Sequence, residues 1–440
     1  MAATVADVVD GTVVVAIGAD ATGASAPTLQ RTDLPNGLTV LSESVPGARS
    51  VAFGAWVRAA TLHERPDEMG VSHFLEHMVF KGTRSRTSQE IALSLETLGG
   101  SLDAYTEREH TSYQARVLDE HLEVAASVIG DLIFHPLIRP EDLALERKVI
   151  LEEISMVDDT PDDIIFDVHN RAMWGDHPHG FAILGTRDTV KALDVPHLRA
   201  LHTRAYHPGR LVVAASGRVE HEHLLEVLQR TGWTEQPMGD RSPFPVDPVE
   251  VAGPHAEHVK RKDIGQVHVV LGGQGIRHGD PRRFTFALID MLLGGGMSSK
   301  LFQRVREELG LAYSVHSFTS SYADAGSHGV YLASAPETAQ QALDAVREVL
   351  RAVADRGLTS EELAAGKRQL RGQLVLSMEG ISSRMYRAAT TALYGEPFRT
   401  IDELMALVEA IDEEQVRDVA RDFFDPNRHI LVSLGPKAVR

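Results

Sequence analysis

Val71-Ser72-His73-Phe74-Leu75-Glu76-His77-Met78-Val79-Phe80 is the stretch from which the rest of the chain is read. At about 100° per residue, His73, Glu76, His77 and Phe80 fall on one stripe of a helix, and Val71, Phe74, Leu75 and Met78 fall nearly opposite. One stripe packs; the other points two imidazoles the same way. Histidines at i and i+4 stand roughly 5–6 Å apart at Cβ, so both can bind one tetrahedral zinc, and a carboxylate one turn from the first can reach a water held there. The chain carries 21 histidines, and HxxEH alone also fits a solvated helix face. A third protein ligand separates the two readings, because a catalytic zinc usually keeps three and leaves the fourth position to water.

Composition sets the frame for finding it. With 440 residues, 43% apolar and 24% charged, the chain is an ordinary soluble globular protein, long enough for at least two domains. Lys and Arg number 44 against 62 Asp and Glu, a formal charge of −18. That balance argues against nucleic acid and anionic membranes and favours basic partners or substrates. The absence of cysteine excludes disulfides, thiolate zinc sites and a cysteine nucleophile. Residues 1–28 read as an Ala/Gly-rich extension with order beginning near Leu29. Its apolar run Val13-Val14-Val15-Ala16-Ile17 is too short, and lacks the basic flank, for a signal or membrane segment, so a cytoplasmic protein is expected.

Working outward, strands are predicted over 38–41 and 50–57, then a helix over 88–98, strands over 101–105 and 112–117, and a helix over 121–134. Pro136 and Pro140 end that run, and a further helix is predicted over 141–156. It contains Glu146-Arg147-Lys148-Val149-Ile150-Leu151-Glu152-Glu153. Positions 146, 149, 150 and 153 share a face that Val149 and Ile150 mark as inward, so Glu146 and Glu153 point inside and Glu152 away. An inward carboxylate without a lysine on its stripe calls for a partner, which a metal or a histidine N–H supplies. The same two acids also fit a half-exposed helix edge.

His73-xx-Glu76-His77 with Met78-Val79-Phe80-Lys81-Gly82-Thr83, followed by Glu146 to Ile154, resembles the pitrilysin/insulinase family of zinc metallopeptidases, closest to the branch of the mitochondrial processing peptidase and its bacterial relatives. The reversed order HxxEH is the inverzincin signature. The resemblance implies His73, His77 and Glu153 as ligands of one zinc per chain, Glu76 as the base that activates water, and Glu146 as an acid orienting a ligand histidine. Gly100-Ser101-Leu102-Asp103-Ala104-Tyr105-Thr106 resembles the family's edge strand, which pairs with an extended substrate. Asp103 and Ala104, with Phe80 on the metal stripe, are thereby implied to contact substrate. Asp103 stands where the family usually has Asn, which alters how that position meets substrate.

The second half reads as a weakened copy of the first. The proline-rich stretch 232–250 reads as a linker, after which strands are predicted over 264–273 and 315–318 and a helix over 281–293. Arg139-Pro140-Glu141-Asp142-Leu143-Ala144 parallels Thr359-Ser360-Glu361-Glu362-Leu363-Ala364 at an offset of 220. That offset sets Leu293, Gly296 and Met297 opposite His73, Glu76 and His77, and Gln373 opposite Glu153, so the second copy lacks the metal set. The predicted fold is therefore α+β, with a catalytic domain over 29–231 and a metal-free homologous domain over 251–440. Each is a mostly antiparallel sheet covered by helices, and the resemblance implies that they face each other as a clamshell. Arg304-Val305-Arg306 through Tyr313 resembles the family segment that binds the substrate's carbonyl region, which maps onto Arg306 and Tyr313, with Arg304 as a rival.

Gly294-Gly295-Gly296-Met297-Ser298-Ser299 lacks the Gly-Lys-Ser/Thr ending of a phosphate loop. His177, His179, His221 and His223 are expected at the surface, and the acids around Pro161 in a solvated turn. The function so implied is zinc-dependent endopeptidase cleavage of unfolded peptides or extended segments inside a chamber, by a homodimer. The same fold also serves non-catalytic assembly subunits such as respiratory-complex core proteins, and intact ligands argue against that alternative.

Overall fold

Runs of Val, Ala and aromatic residues buried on both faces build the centres of two sheets, as in Ser50–Val57. The computed structural model describes residues 29–440 and, before them, the backbone of strands Val5–Val9 and Thr12–Ile17. Contacts divide the chain into two units.

The first unit comprises Met1–Ile154, Ala182–Val246 and Ser377–Thr400. Its sheet contains β1 (Val5–Val9), β2 (Thr12–Ile17), β3 (Leu29–Asp33), β4 (Thr39–Ser44), β5 (Ser50–Val57), β6 (Ser101–Thr106), β7 (Thr111–Leu118) and β8 (Leu211–Gly217). The order is β1-β2-β3-β4-β8-β5-β7-β6. All neighbours are antiparallel except β4 and β8. Strand β6 ends the sheet, which leaves one row of backbone groups free for pairing. Order was expected to begin near Leu29; instead β1 and β2 pair with each other and β2 pairs with β3.

Helices α1 (Val71–Val79), α2 (Ser88–Glu96), α3 (Leu122–Phe134) and α4 (Pro140–Asp159) follow the strands. Their apolar stripes meet the inner face of this sheet in one core with Phe53, Phe74, Ile129 and Ile150. Trp233, at the start of the expected linker, is itself core: its indole N–H donates to the Ala126 carbonyl at 3.0 Å. From there to residue 255 no helix or strand forms.

The second unit comprises Ser155–Phe181, Asp247–Leu376 and Ile401–Arg440. Its strands are β9 (Ala256–Lys260), β10 (Val267–Gln274), β11 (Ser314–Ser321), β12 (Gly326–Ser334) and β13 (Ile430–Gly435), in the order β11-β12-β10-β13-β9. Read from the other edge, this repeats β4-β8-β5-β7-β6, down to a single parallel pair. The repeat is therefore topological. Its offset drifts: Pro140–Asp159 answers Ser360–Ser377 at 220 residues, but α1 answers the helix Arg283–Gly294 at 212. Loops of different length separate the elements, so no single offset holds. Thr285, Leu288 and Ile289, all buried, replace His73, Glu76 and His77 in that alignment.

Each unit also takes a helix from beyond the boundaries expected from sequence. Residues 377–400 belong with the first unit, where Met385, Ala388 and Ala389 of the helix Ile381–Leu393 cover Leu41, Trp56 and Val212 on the sheet's outer face. Residues 155–181 belong with the second, where Ile165, Met173 and Trp174 of α5 (Pro161–Trp174) cover Val270 and Val432. Small residues let one helix lie close on a flat sheet face. Among the described residues, no helix is long and apolar enough to cross a membrane.

Candidate metal centre

Helix α1 starts at Gly70, whose φ of 88° lies in the left-handed region. A Cβ there would meet the Leu184 carbonyl oxygen at 2.6 Å, and a Cβ on Gly185, at φ 75°, would meet the Met69 oxygen at 2.3 Å. The buried Glu64 carboxylate closes the helix end, accepting from the Gly70 and Ser72 backbone N–H groups at 2.8 and 2.8 Å. Burial pushes its pKa up to about 7, against the pull of those backbone donors. Val71, Phe74, Leu75 and Met78 are buried beneath the helix, which fixes its rotation.

That rotation turns His73 and His77 to one side, their rings 4.6 Å apart. From α4, Glu153 brings Oε2 to 3.8 Å from His73 Nε2 and 3.7 Å from His77 Nε2. Ligand atoms of the three residues lie within 4.8 Å of one another. Glu153 Oε2 is buried and has no hydrogen-bond partner among the described residues. An orphaned carboxylate oxygen facing two imidazole nitrogens fits a divalent cation, and this is a donor set that zinc accepts.

Neighbouring groups hold the ligands. Glu146 is buried; its Oε2 lies 3.1 Å from His77 Nδ1 and its Oε1 2.6 Å from Lys81 Nζ. A proton held on Nδ1 leaves Nε2 free to coordinate. No lysine lies on the helical stripe of Glu146; Lys81 reaches it from just beyond the end of α1. Burial, then the charge of His77, lowers the His73 pKa to about 3, which keeps its ring neutral and ligand-competent. Glu76 accepts from the Thr106 hydroxyl at 2.6 Å. Burial raises its pKa, the Thr106 hydrogen bond and His77 lower it, and Glu153 raises it further.

Other predicted residues sit as follows. Asp103 is exposed on β6 and Ala104 is half-buried beside it, packed on the core with Phe80. Phe80 stands 6.3 Å from the ring of Tyr113. In the second unit, Tyr313 is 77% exposed and lies under the Arg306 guanidinium at 4.6 Å. Arg304 instead pairs with Glu308 at 3.0 Å and Glu348 at 3.4 Å. Two histidines placed at the surface by sequence are buried. His179 lies against the rings of Trp174 and Tyr322, tilted to both, and His221 meets the hydroxyls of Thr32 and Ser42 at 2.8 and 2.8 Å. His223, two positions along the helix, is exposed. The acids at 158–159 and 162–163 close α4 and open α5 rather than forming a loop. Glu64, Thr106 and Lys81 were given no role from sequence. Only Lys81 had a signal, one turn past His77 and just after the metal helix ends.

Two family models match the chain: Insulinase (Peptidase family M16) over residues 39–187, and Peptidase M16 inactive domain over residues 192–370. An uncharacterized zinc protease of Streptomyces coelicolor is 39% identical over 415 residues, covering 93% of this chain and 90% of its own length. The uncharacterized zinc protease YmxG of Bacillus subtilis is 37% identical over 397 residues, covering 90% and 96%. Among solved structures, a peptidase M16 inactive domain from Pseudomonas fluorescens superposes with a TM-score of 0.87 at 20% identity, over 94% of this chain and 98% of its own. A protease from Helicobacter pylori gives 0.88 at 18% identity, over 93% and 100%.

Proposed function

This chain belongs to the insulinase family, peptidase family M16, and is a metalloprotease; from that premise we propose a zinc endopeptidase that cuts extended or unfolded peptide segments with Glu76 as general base. The observation that carries the reading is the convergence of His73, His77 and Glu153 on one point. The likeness to zinc proteases supports zinc as the ion. Zinc bound by those residues supplies a Lewis acid and acidifies water.

The chain's own groups do the rest. Glu146 holds the His77 proton at Nδ1, and Lys81 neutralises Glu146. The Thr106 hydroxyl fixes one Glu76 oxygen, leaving the other to accept a proton from the attacking water and return it to the leaving amine. Strand β6 offers its free edge to the substrate backbone beside Asp103 and Ala104, which favours loose side-chain preference. By the family resemblance, Arg306 and Tyr313 are the further residues we assign to substrate binding. The chain charge of −18 favours basic peptides, and a homodimer in the cytoplasm is the setting we assign.

Cleavage of a peptide library by wild type beside Glu76→Gln is the test. The variant should keep its zinc and lose at least about a hundredfold in turnover. A variant that cuts normally would remove Glu76 from the mechanism.

A further inference from the structure

Away from the metal centre, the first unit contains a cavity of about 550 Å3 whose wall carries Arg31, Arg58, Arg210 and Arg241 against one carboxylate, Asp33. None of α1, β6 or α4 lines it. In a chain of formal charge −18, four guanidinium groups gathered around a single acid run against the overall balance.

The acid is already engaged. Asp33 accepts from Arg31 Nε and Nη2, both at 3.1 Å, and from the Thr39 hydroxyl at 2.7 Å. Arg58 is held by the carbonyls of Leu393 and Ala392, at 2.9 and 2.8 Å. Burial first, then repulsion from Arg31 and Arg241, lowers its pKa. Arg210 is buried against the Phe244 ring at 4.1 Å and donates Nη2 to the Ser242 carbonyl, yet its Nε has no partner among the described residues. Asp240, which favours the charge on Arg210, already accepts from the Ser242 N–H at 2.8 Å. The stem of Arg241 lies across Gly209, where a Cβ would meet its Cγ at 2.7 Å.

We propose that this cavity binds a small polyanion carrying two or more phosphate or carboxylate groups, with Arg31, Arg58, Arg210 and Arg241 as its cationic wall. Guanidinium forks match both oxyanions, a buried unpaired N–H gains most from such a partner, and the volume suits a small molecule.

Calorimetric titration of the zinc-loaded protein with inorganic tripolyphosphate, and separately with citrate, tests this beside Arg241→Gln and Arg31→Gln. Wild type should bind at least one probe saturably, and the variants, with unchanged melting temperature, should bind it about tenfold more weakly or worse. Binding of tripolyphosphate alone identifies a phosphate ligand, binding of citrate alone a carboxylate one, and binding of both a general oxyanion site. Arg241 is exposed, so its replacement leaves the core intact. No saturable binding of either probe at millimolar concentration overturns the proposal. So does binding that both variants leave unchanged, which reports chelation of the enzyme's metal or a site elsewhere.

Discussion

Glu146 joins the metal helix to the rest of the site, because one carboxylate meets both His77 Nδ1 and Lys81 Nζ. Glu146→Gln keeps the shape but weakens the hold on the imidazole, so zinc affinity should fall about 10–100-fold. Competition with a chromophoric chelator measures this, and an unchanged affinity would deny Glu146 its orienting role. At this scale the sequence is legible where contacts are local: the i, i+4 histidines and the shared face of Glu146, Ile150 and Glu153 follow from helix geometry, whereas Val149, read as marking that face, is exposed at its edge. Glu64 and Thr106 were silent because their contacts cross between elements, through backbone N–H groups in one case and across the sheet edge in the other. His221 misled because a residue at the first turn of a helix can face the sheet as readily as solvent, and here Thr32 and Ser42 receive it.

Secondary structure places α1 through a lock of two glycines. Gly185→Ala would drive a Cβ into the Met69 carbonyl at a φ of 75°, which costs about 1–3 kcal/mol in strain at such a position. Chemical denaturation should register that loss, with zinc content falling as the start of α1 shifts; normal stability and full zinc would show the lock to be dispensable. Periodicity predicted the helices near the active centre because each has one buried face, and apolar runs between turn residues marked the central strands, which are buried on both faces. It failed for the exchange of the helices 161–174 and 381–393 between units. One buries Ile165, Met173 and Trp174 and the other Met385, Ala388 and Ala389, and nothing local says which sheet each apolar face covers.

Across the whole molecule, both units bury histidines whose charging opposes the fold, His110 and His221 among them in the first, where burial lowers both pKa values. The second buries His169, His328 and His429, and burial lowers all three pKa values, that of His169 to about 4. A histidine kept neutral in the fold favours the folded state above its unfolded pKa near 6.5, and that contribution is lost as pH falls from there towards 4, up to about 3 kcal/mol from His169. Calorimetry of metal-free protein should therefore show a melting transition that drops steeply between pH 7 and 5; a flat profile would contradict it. The repeated topology was legible as a repeat, whereas its drifting offset was not, since loop lengths carry no periodic signal. The central claim is that α1 and α4 close on a single zinc, and anomalous diffraction at the zinc edge tests it most directly. One peak at about 2.0–2.2 Å from His73 Nε2, His77 Nε2 and a Glu153 carboxylate oxygen is the predicted result; a crystal of zinc-loaded protein with no peak there, or with the peak at other residues, would contradict it.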